Sequence, residues 1–346
     1  MDSELLMKEI SKIKNAPIIF ILGCHRSGTT LLQSSLDAHP NIIAPPESQF
    51  INMLYSHFGK IKHWNSDNVI EFVNTLFEEG FFSNLWLLDK EQIIKKLESI
   101  VEYINYALLC KWIFYQMRKE KQEVLLLSDK NPIYCLFGER LLEIFPEARF
   151  IHIVRDPRDN VNSNIKRRNK KNTFFLARQW LGYNICIEKL KEKVPDKFFT
   201  IIYEEMVQNA ENTFKPLCEF LKVPYNSSML NHQFAASLPQ YEDSKFYGRI
   251  IREHQNLLKP INTSNIGKWK TEMSGYDRTI TEVITADFAK KHYGYDMEAG
   301  KINKSKISSV KLFKSRMQYI AWFLFTRFRN KNYTINKWYY SNKKKP

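Results

Sequence analysis

The chain has 346 residues, 44% hydrophobic and 14% aromatic, so it can bury the core of one large α/β domain or two small ones, and its composition excludes a collagen, a disulfide-rich scaffold and wholesale disorder. The net charge of +15 lies mainly at one end, because residues 301–346 contain thirteen Lys or Arg and no Asp or Glu, which leaves +2 for residues 1–300. A protein that binds nucleic acid over its folded face needs basic residues there, so we expect no nucleic-acid partner.

The cysteines and the N-terminal sequence indicate the cellular compartment of the protein. Five cysteines are scattered without a CxxC spacing or a Cys/His cluster, so neither a zinc site nor a disulfide framework is predicted. The sequence MDSELLMKEISKIKNAP is amphipathic and of mixed charge, without the apolar run of a signal peptide or a spanning helix. We therefore expect a cytoplasmic protein.

The first elements along the chain are a buried strand, a helix and a cap. The apolar run at 17–23, PIIFILG, predicts a buried parallel strand. A helix is predicted at 29–38, ending before Pro40 because the residue that precedes a proline disfavours the helical region. A short strand follows at 41–44. Residues 48–120 have aromatics at helical spacing and predict a helical cap or insertion.

Strands and helices then alternate. The strands are predicted at 124–129, 149–154 and 198–203, and the helices at 136–145, 157–168, 174–193 and 204–221. Such alternation predicts an α/β fold with a doubly wound parallel sheet, whose ligands bind at the carboxyl ends of the strands. Residues 226–275 are predicted to form a long loop, and a helix near 278–291 closes the domain. We predict one domain over 1–300 and a basic, aromatic tail over 301–346.

A phosphate-binding loop is indicated between the first strand and the first long helix. The segment GCHRSGTT at 23–30 has the spacing of the loop GxxxxGK[ST], in which backbone N–H groups and a helix N-terminus bind phosphate. Thr29 stands in place of the lysine that contacts the β- and γ-phosphates of ATP, which makes ATP or GTP hydrolysis a poor fit. The alternative is a turn whose Gly and Thr residues only cap a helix.

A second anion site is indicated where the strand at 149–154 enters its helix. Arg155 lies at the strand end, and Ser163 and Arg167 are four residues apart on one helical face. Two arginines and a hydroxyl suit a monoester phosphate. Taken alone, the segment is also typical of a solvated charged helix.

The two segments together carry a resemblance. HRSGTTLLQSSLDAHPNI resembles the 5′-phosphosulfate loop of sulfotransferases that use 3′-phosphoadenosine 5′-phosphosulfate (PAPS), and is particularly similar to the tyrosylprotein sulfotransferase branch and its bacterial relatives. VRDPRDNVNSNIKRR resembles the 3′-phosphate motif of that family. The resemblance implies a P-loop-type fold and PAPS as sulfuryl donor, with no metal. The implied nucleotide-binding residues are Arg26, Ser27, Gly28, Thr29, Thr30, Arg155, Ser163, Arg167, Tyr203 and Lys268.

Three residues are candidates for the transfer step. Glu47 follows the short strand and should reach the same sheet edge as the loop, where it could accept the proton of an acceptor hydroxyl. We expect desolvation to raise the pKa of Glu47. Lys130, at the end of the third strand, could neutralise the bridging oxygen together with Arg26. The resemblance supports both Glu47 and Lys130, although a carboxylate that only stabilises a helix N-terminus is the alternative for Glu47.

Other polar residues admit different interpretations. Asp129 ends an apolar strand as a magnesium-binding aspartate does, which keeps a P-loop kinase or NTPase open as an alternative. A nucleotide-binding protein without catalysis is a further alternative. His152 lies among the apolar residues of a strand and is expected in the core. His25 lies in the loop, where it could contact acceptor or nucleotide, and His254 is not assigned a role.

The acceptor and the tail are the least determined features. The sequence allows a saccharide, a lipid, a small molecule or a protein tyrosine as the hydroxyl-bearing acceptor, and a homodimer is implied only by the resemblance. The tail combines basic and aromatic residues, with an apolar run at 317–325 too short to span a bilayer. It could lie on an anionic membrane as a peripheral helix or pack its aromatics onto the domain.

Overall fold

One parallel sheet forms the centre of the protein. A computed structural model describes residues 3–118, 123–168, 172–232, 255–297 and 307–343, and the single positions 242 and 248. The strands are β1 (Ile18–Leu22), β2 (Ile42–Ile43), β3 (Leu126–Lys130), β4 (Arg149–Val154) and β5 (Phe198–Ile202). They pair in parallel in the order β2-β3-β1-β4-β5. This order, with helices on both faces, confirms the predicted α/β class and the doubly wound sheet.

Helices cover both faces of the sheet, so β1 is buried along its whole length. Phe20 points into one core and Ile19 into the other, as the alternation of a strand requires. Three helices lie on the Ile19 side: α2 (Thr29–Asp37), α11 (Tyr203–Gln208) and α12 (Ala210–Leu221). The other face packs on α1 (Ser3–Asn15), α7 (Tyr106–Tyr115), α8 (Gly138–Ile144) and α10 (Thr173–Lys193).

The cap predicted at 48–120 is helical where the structure describes it. Its helices are α3 (Phe50–Phe58), α4 (Ser66–Glu78), α5 (Gly80–Leu85), α6 (Lys90–Glu98) and α7. Asn65, Asp89 and Asn105 each cap a helix, because the side chain accepts a hydrogen bond from the amide three residues on. The aromatics at helical spacing form the packed interior of this cap, which includes Phe50, Phe82 and Trp86.

Two helix predictions were wrong in detail. The helix expected at 204–221 is two helices, because the chain leaves helical geometry at Asn209, whose side chain caps the second helix by accepting from the Asn212 amide at 3.4 Å. The residues expected to begin a helix at 136 belong to a 3-10 turn, Pro132–Leu136, and α8 starts at Gly138. Proline at the first position and Asn131 as cap explain the early turn.

The remaining helices are α9 (Pro157–Arg168), α13 (Trp269–Glu272), α14 (Gly275–Tyr293), α15 (Ser309–Lys331) and α16 (Tyr333–Lys343). α14 and α15 pack on α10, while α15 and α16 pack on α3. The described part of the tail is therefore helical and packs on the domain. The boundary between domain and tail at residue 300 stays a prediction. Of the fifty residues of the loop predicted over 226–275, twenty (233–241, 243–247 and 249–254) lie outside the described residues. The described remainder is irregular except for two 3-10 turns, Ser227–Leu230 and Gln255–Leu258, and the short helix α13.

Candidate active site

The loop at residues 23–28 has the shape of an anion cradle. It joins β1 to α2, with Arg26 at φ 69° and Gly28 at φ 91°, both in the left-handed region. A Cβ on Gly28 would lie 2.4 Å from a ring carbon of Tyr203, so both the dihedral angle and the space require glycine. Ser27 and Thr29 are buried and Thr30 is half-buried. The first amides of α2 are therefore available to bind an anion at the loop, since a helix N-terminus leaves them without intrahelical partners.

The second anion segment lies directly beside this loop. Arg155 follows β4, and its guanidinium donates to the carbonyl of Arg26 at 3.0 Å and lies 4.8 Å from the ring centre of Tyr203. The Nε of Arg26 donates to the Oγ of Ser163 at 3.1 Å. The structure thus brings Arg26 and Tyr203, which are distant in sequence, together with the segment that contains Arg155 and Ser163.

Two asparagines that the sequence analysis missed hold the loop in place. Asn160 donates to the carbonyl of His25 at 2.8 Å and to the Oγ of Ser27 at 3.0 Å. Asn164, one turn later on α9, donates to the same carbonyl at 3.2 Å. The available signal in the sequence was the four-residue spacing of Asn160 and Asn164, which lies three residues before the same spacing of Ser163 and Arg167. α9 therefore supplies both the second anion segment and the support of the first.

Glu47 and Lys130 form an ion pair at the same sheet edge. The Nζ of Lys130 lies 2.7 Å from Oε2 of Glu47 and 3.5 Å from Oγ1 of Thr30. The Lys130 side chain is 4% exposed and that of Glu47 is 28% exposed. The carboxylate is thus paired with a cation, while the amide of Phe50 at the start of α3 donates to Ser48. This arrangement favours a role in the site over one at the helix N-terminus.

The expected rise in the pKa of Glu47 was wrong. Burial raises the pKa of this carboxyl, but the charge and hydrogen bond of Lys130, with the charges of His25 and Arg167, lower it by more, so the pKa lies below its ordinary value. The sequence places Glu47 at the edge but does not show how many cations surround it. Arg167 is exposed on α9 and contributes one of the positive charges that lower the pKa of Glu47.

The backbone of Glu47 is fixed from two sides. Gln33 of α2 donates to the carbonyl of Pro45, and the indole of Trp86 in the cap donates to the carbonyl of Pro46 at 3.0 Å. Neither Gln33 nor Trp86 was predicted as a site residue, because nothing in the local sequence links them to the two prolines. The cap thereby positions the candidate base.

The segment that contains Lys268 is anchored to α9. Asp159 accepts from the amide of Gly267 at 2.6 Å and from the amide of Trp269 at 2.9 Å. Arg155 also donates to the carbonyl of Asn265 at 2.5 Å. Lys268 is half-buried at the N-cap of α13. The segment is thus fixed beside the anion sites by Asp159, a residue that the sequence analysis did not select.

Trp269 strengthens this anchor. The guanidinium of Arg158 lies 3.9 Å from the ring centre of Trp269, and that of Arg278 lies 4.7 Å from it. Both arginines pair with Glu282 of α14, at 3.3 and 2.9 Å. The indole therefore contacts two cations that share one buried carboxylate.

Asp129 points away from the phosphate loop. Successive strand residues face opposite sides, so Lys130 reaches Thr30 while Asp129 bonds with Tyr134 in the other core. Burial raises the pKa of Asp129 to about 7. Within the described ranges no three His, Cys, Asp or Glu side chains come together as a metal site. The orientation of Asp129 does not suit a magnesium ion held at the phosphate loop.

The histidines differ in their surroundings. His152 is fully buried and its Nε2 lies 2.9 Å from Asn184, and burial lowers its pKa to about 4, so the predicted core position is confirmed. His25 is half-buried, with its ring centre 6.2 Å from that of Tyr183. His254 lies outside the described residues.

Residues 17–227 match the model of a family described as the sulfotransferase family. The chain is 26% identical over 269 residues to a protein-tyrosine sulfotransferase of Drosophila melanogaster, covering 76% of this chain and 48% of that protein. It is 27% identical over 309 residues to protein-tyrosine sulfotransferase 1 of Danio rerio, covering 84% and 75%. It is also 27% identical over 305 residues to protein-tyrosine sulfotransferase 1 of Homo sapiens, covering 85% and 73%. The chain thus spans about half the length of the Drosophila relative.

Two solved structures have a similar fold. The sulfotransferase domain from the Synechococcus PCC 7002 olefin synthase superposes with a TM-score of 0.54 at 24% identity, covering 81% of this chain and 95% of that one. The sulfotransferase domain from the curacin biosynthetic pathway gives a TM-score of 0.54 at 22% identity, covering 79% and 98%. At these identities the likeness concerns the fold.

Proposed function

The chain belongs to the sulfotransferase family, and from that premise we propose that it transfers a sulfuryl group from PAPS to the hydroxyl of an acceptor, without a metal. One observation carries the proposal. Arg26 connects the two anion segments, because its side chain donates to Ser163 while its carbonyl accepts from Arg155. A nucleotide with a 5′-phosphosulfate and a 3′-phosphate carries two anionic groups, and the protein offers two adjoining sites for them.

The proposed roles divide between the two ends of the nucleotide. The loop residues Ser27, Gly28, Thr29 and Thr30 bind the 5′-phosphosulfate through backbone amides and hydroxyls. Arg155, Ser163 and Arg167 bind the 3′-phosphate by charge-assisted hydrogen bonds. Tyr203 and Lys268 contact the nucleotide from the strand end and from the anchored segment.

In the transfer itself, the acceptor oxygen forms a bond to sulfur while the bond from sulfur to the bridging phosphate oxygen breaks. Glu47 takes the proton of the acceptor hydroxyl, and Lys130 and Arg26 stabilise the negative charge that develops on the leaving phosphate. The products are a sulfate ester and 3′-phosphoadenosine 5′-phosphate (PAP). Atoms and charge balance without a further reactant.

The ion pair gives Lys130 two positions. Its Nζ lies 2.7 Å from Glu47 and 3.5 Å from Thr30, so a short movement takes it from the carboxylate toward a phosphosulfate on the loop. We infer that PAPS draws Lys130 toward the bridging oxygen. Glu47 then loses its main stabilising cation and becomes a stronger base only when the donor is present.

The acceptor is proposed to be a protein tyrosine. Support comes from the names of the relatives, which are protein-tyrosine sulfotransferases of 26 to 27% identity. The alternative acceptors are a saccharide, a lipid and a small molecule. No observation in the described residues favours the kinase or NTPase alternative, and the orientation of Asp129 speaks against it.

Thermal-shift titration tests the nucleotide site. PAP at 100 times its dissociation constant should stabilise the protein by about 2.7 kcal/mol, and ATP with magnesium should have a far smaller effect. Arg155→Ala should abolish the PAP shift, whereas Arg316→Ala, at an exposed arginine of α15, should retain it. A shift with ATP and magnesium alone would overturn the proposal.

Labelled PAPS with a tyrosyl peptide then tests the chemistry. Glu47→Gln should keep the PAP shift and reduce kcat by about 10²- to 10⁴-fold, the usual contribution of a general base. If Glu47→Gln retains the kcat of the wild type, Glu47 is not the base. If the wild type modifies only a saccharide, lipid or small molecule, the tyrosine assignment is wrong and the donor assignment stands.

A further inference from the structure

The helix α15 has apolar side chains on two opposite faces. Its inner face packs on α10, where the ring of Trp322 stacks on Tyr183 with 6.1 Å between centres. Its C-terminal part is tied to α3, since Asn52 donates to the side chain of Asn330 at 2.9 Å. The inner face is therefore part of the folded domain, and the helix does not depend on the outer face for its position.

The outer face of α15 is a continuous apolar stripe. The side chains that form it are between 47% and 74% exposed and comprise Val310, Phe313, Met317, Leu324, Phe325 and Phe328. At 100° per residue these positions share one side of the helix, with Ala321 between them, and at 1.5 Å per residue the stripe is about 27 Å long. A row of exposed apolar side chains bordered by polar residues is typical of an interaction surface, and we interpret the stripe in this way.

Positive charge borders the stripe. Lys311 and Lys314 lie along one edge and Arg316 and Arg327 along the other, and the sequences of α15 and α16 contain no Asp or Glu. This positive charge distinguishes between two kinds of partner, a second copy of the helix and a lipid surface. A second copy of the helix would bring like charges together, whereas a layer of anionic headgroups over an apolar interior complements both the edges and the stripe.

We propose that the outer face of α15 binds the surface of an anionic lipid bilayer. The apolar side chains enter the boundary between headgroups and acyl chains, and the basic residues remain at headgroup level. Trp338 of α16, 63% exposed, adds an aromatic side chain of the kind enriched at that boundary. Among the residues that the structure describes, no helix is long and apolar enough to cross a membrane, so α15 lies in the plane of the surface.

The position of α15 connects this surface to the candidate active site. Tyr183, which stacks on Trp322 from the inner face, lies 6.2 Å from the ring of His25 in the phosphate loop. α3, the other partner of α15, begins three residues after Glu47. Membrane binding would therefore hold the transfer site beside the lipid surface.

Vesicle sedimentation with the full chain tests the proposal. We expect the protein to pellet with vesicles of phosphatidylcholine containing one quarter phosphatidylserine, to bind pure phosphatidylcholine at least tenfold more weakly, and to be released by high salt. The triple variant Phe313→Ser, Leu324→Ser, Phe328→Ser should bind the anionic vesicles at least tenfold more weakly. A control with Tyr103→Ser and Leu258→Ser, at exposed apolar positions outside α15, should bind as the wild type does.

Folding and self-association are measured on the same samples. The PAP-induced thermal shift should be unchanged in the triple variant, since its three positions are solvent-exposed. If that variant does not fold, the pair Lys311→Glu and Lys314→Glu replaces it, and the same loss of vesicle binding is expected. Equal binding by wild type and folded variant would overturn the proposal. So would a lipid-free dimer that the variant converts to monomer, because the stripe would then cover a second copy.

Discussion

Replacing Lys130 with methionine keeps a side chain of similar length and removes one charge from the proposed transfer site. The Nζ of Lys130 lies 2.7 Å from Glu47 and 3.5 Å from Thr30, and the side chain is 4% exposed. The substitution therefore changes two quantities at once: the stabilisation of charge on the leaving phosphate, and the pKa of Glu47. Each has its own signature in the kinetics.

The first effect is a lower kcat. Removing one donor from a site where charge develops typically costs about 10²- to 10³-fold in kcat, or roughly 3 to 4 kcal/mol. The second effect is on the pH profile. Burial raises the pKa of Glu47 while Lys130 makes the largest contribution to lowering it, so the pKa must rise when Lys130 is lost. Since a general base acts in its ionised form, activity in the wild type should persist to a pH below the ordinary carboxyl range. In the variant the acid limb should move to higher pH.

The assay is the transfer of label from PAPS to a tyrosyl peptide, with kcat/KM for PAPS measured between pH 4 and 9, because this parameter reports ionisations of the free enzyme, in which Lys130 still pairs with Glu47. Lys111→Met is the matched control, since Lys111 is a buried lysine, 6% exposed, that pairs with Glu147 away from the site. It should leave the pH profile unchanged. The reasoning is refuted if Lys130→Met lowers kcat by less than tenfold or leaves the acid limb where it is.

Three further substitutions test other parts of the structure. Gly28→Ala should weaken PAP binding at least tenfold by titration calorimetry, because alanine at φ 91° costs about 1 to 2 kcal/mol and its Cβ would meet Tyr203 at 2.4 Å; undiminished affinity would contradict the described loop. Asp159→Asn should raise the dissociation constant of PAP about tenfold, since the carboxylate accepts from two amides of the anchored segment. Asp129→Asn should stabilise the protein at pH 8 by up to about 4 kcal/mol. The reason is that the carboxyl has a pKa of about 7 in the folded protein and near 3.8 in the unfolded chain, so the wild type loses stability as the pH rises through that window. In thermal melts the stability gained by the variant should shrink toward pH 4, and a gain that does not change with pH would exclude the titration of Asp129 as its cause.

The sequence alone determined the features that depend on neighbouring residues. The apolar run before a Gly-rich turn predicted β1 and the phosphate loop, and parallel strands with helical connections placed the loop, Glu47, Lys130 and Arg155 at one edge of the sheet. These follow from local propensity and from the rule that the carboxyl ends of parallel strands meet at one edge. The GxxxxG spacing also singled out Gly28, and the structure gives the reason for a glycine there, since its φ of 91° is a conformation that other residues rarely adopt.

Only the tertiary structure decided which of these groups touch and what surrounds them. The contact of Arg26 with Ser163 joins residues 137 apart, and that of Glu47 with Lys130 joins residues 83 apart. Asp159 acquired its role from a segment more than a hundred residues later. The direction of the Glu47 pKa shift depends on burial and on cations from separate segments, and the exposure of the stripe on α15 depends on which face meets α10. Each of these is a sum over long-range neighbours, which the order of residues along the chain does not contain.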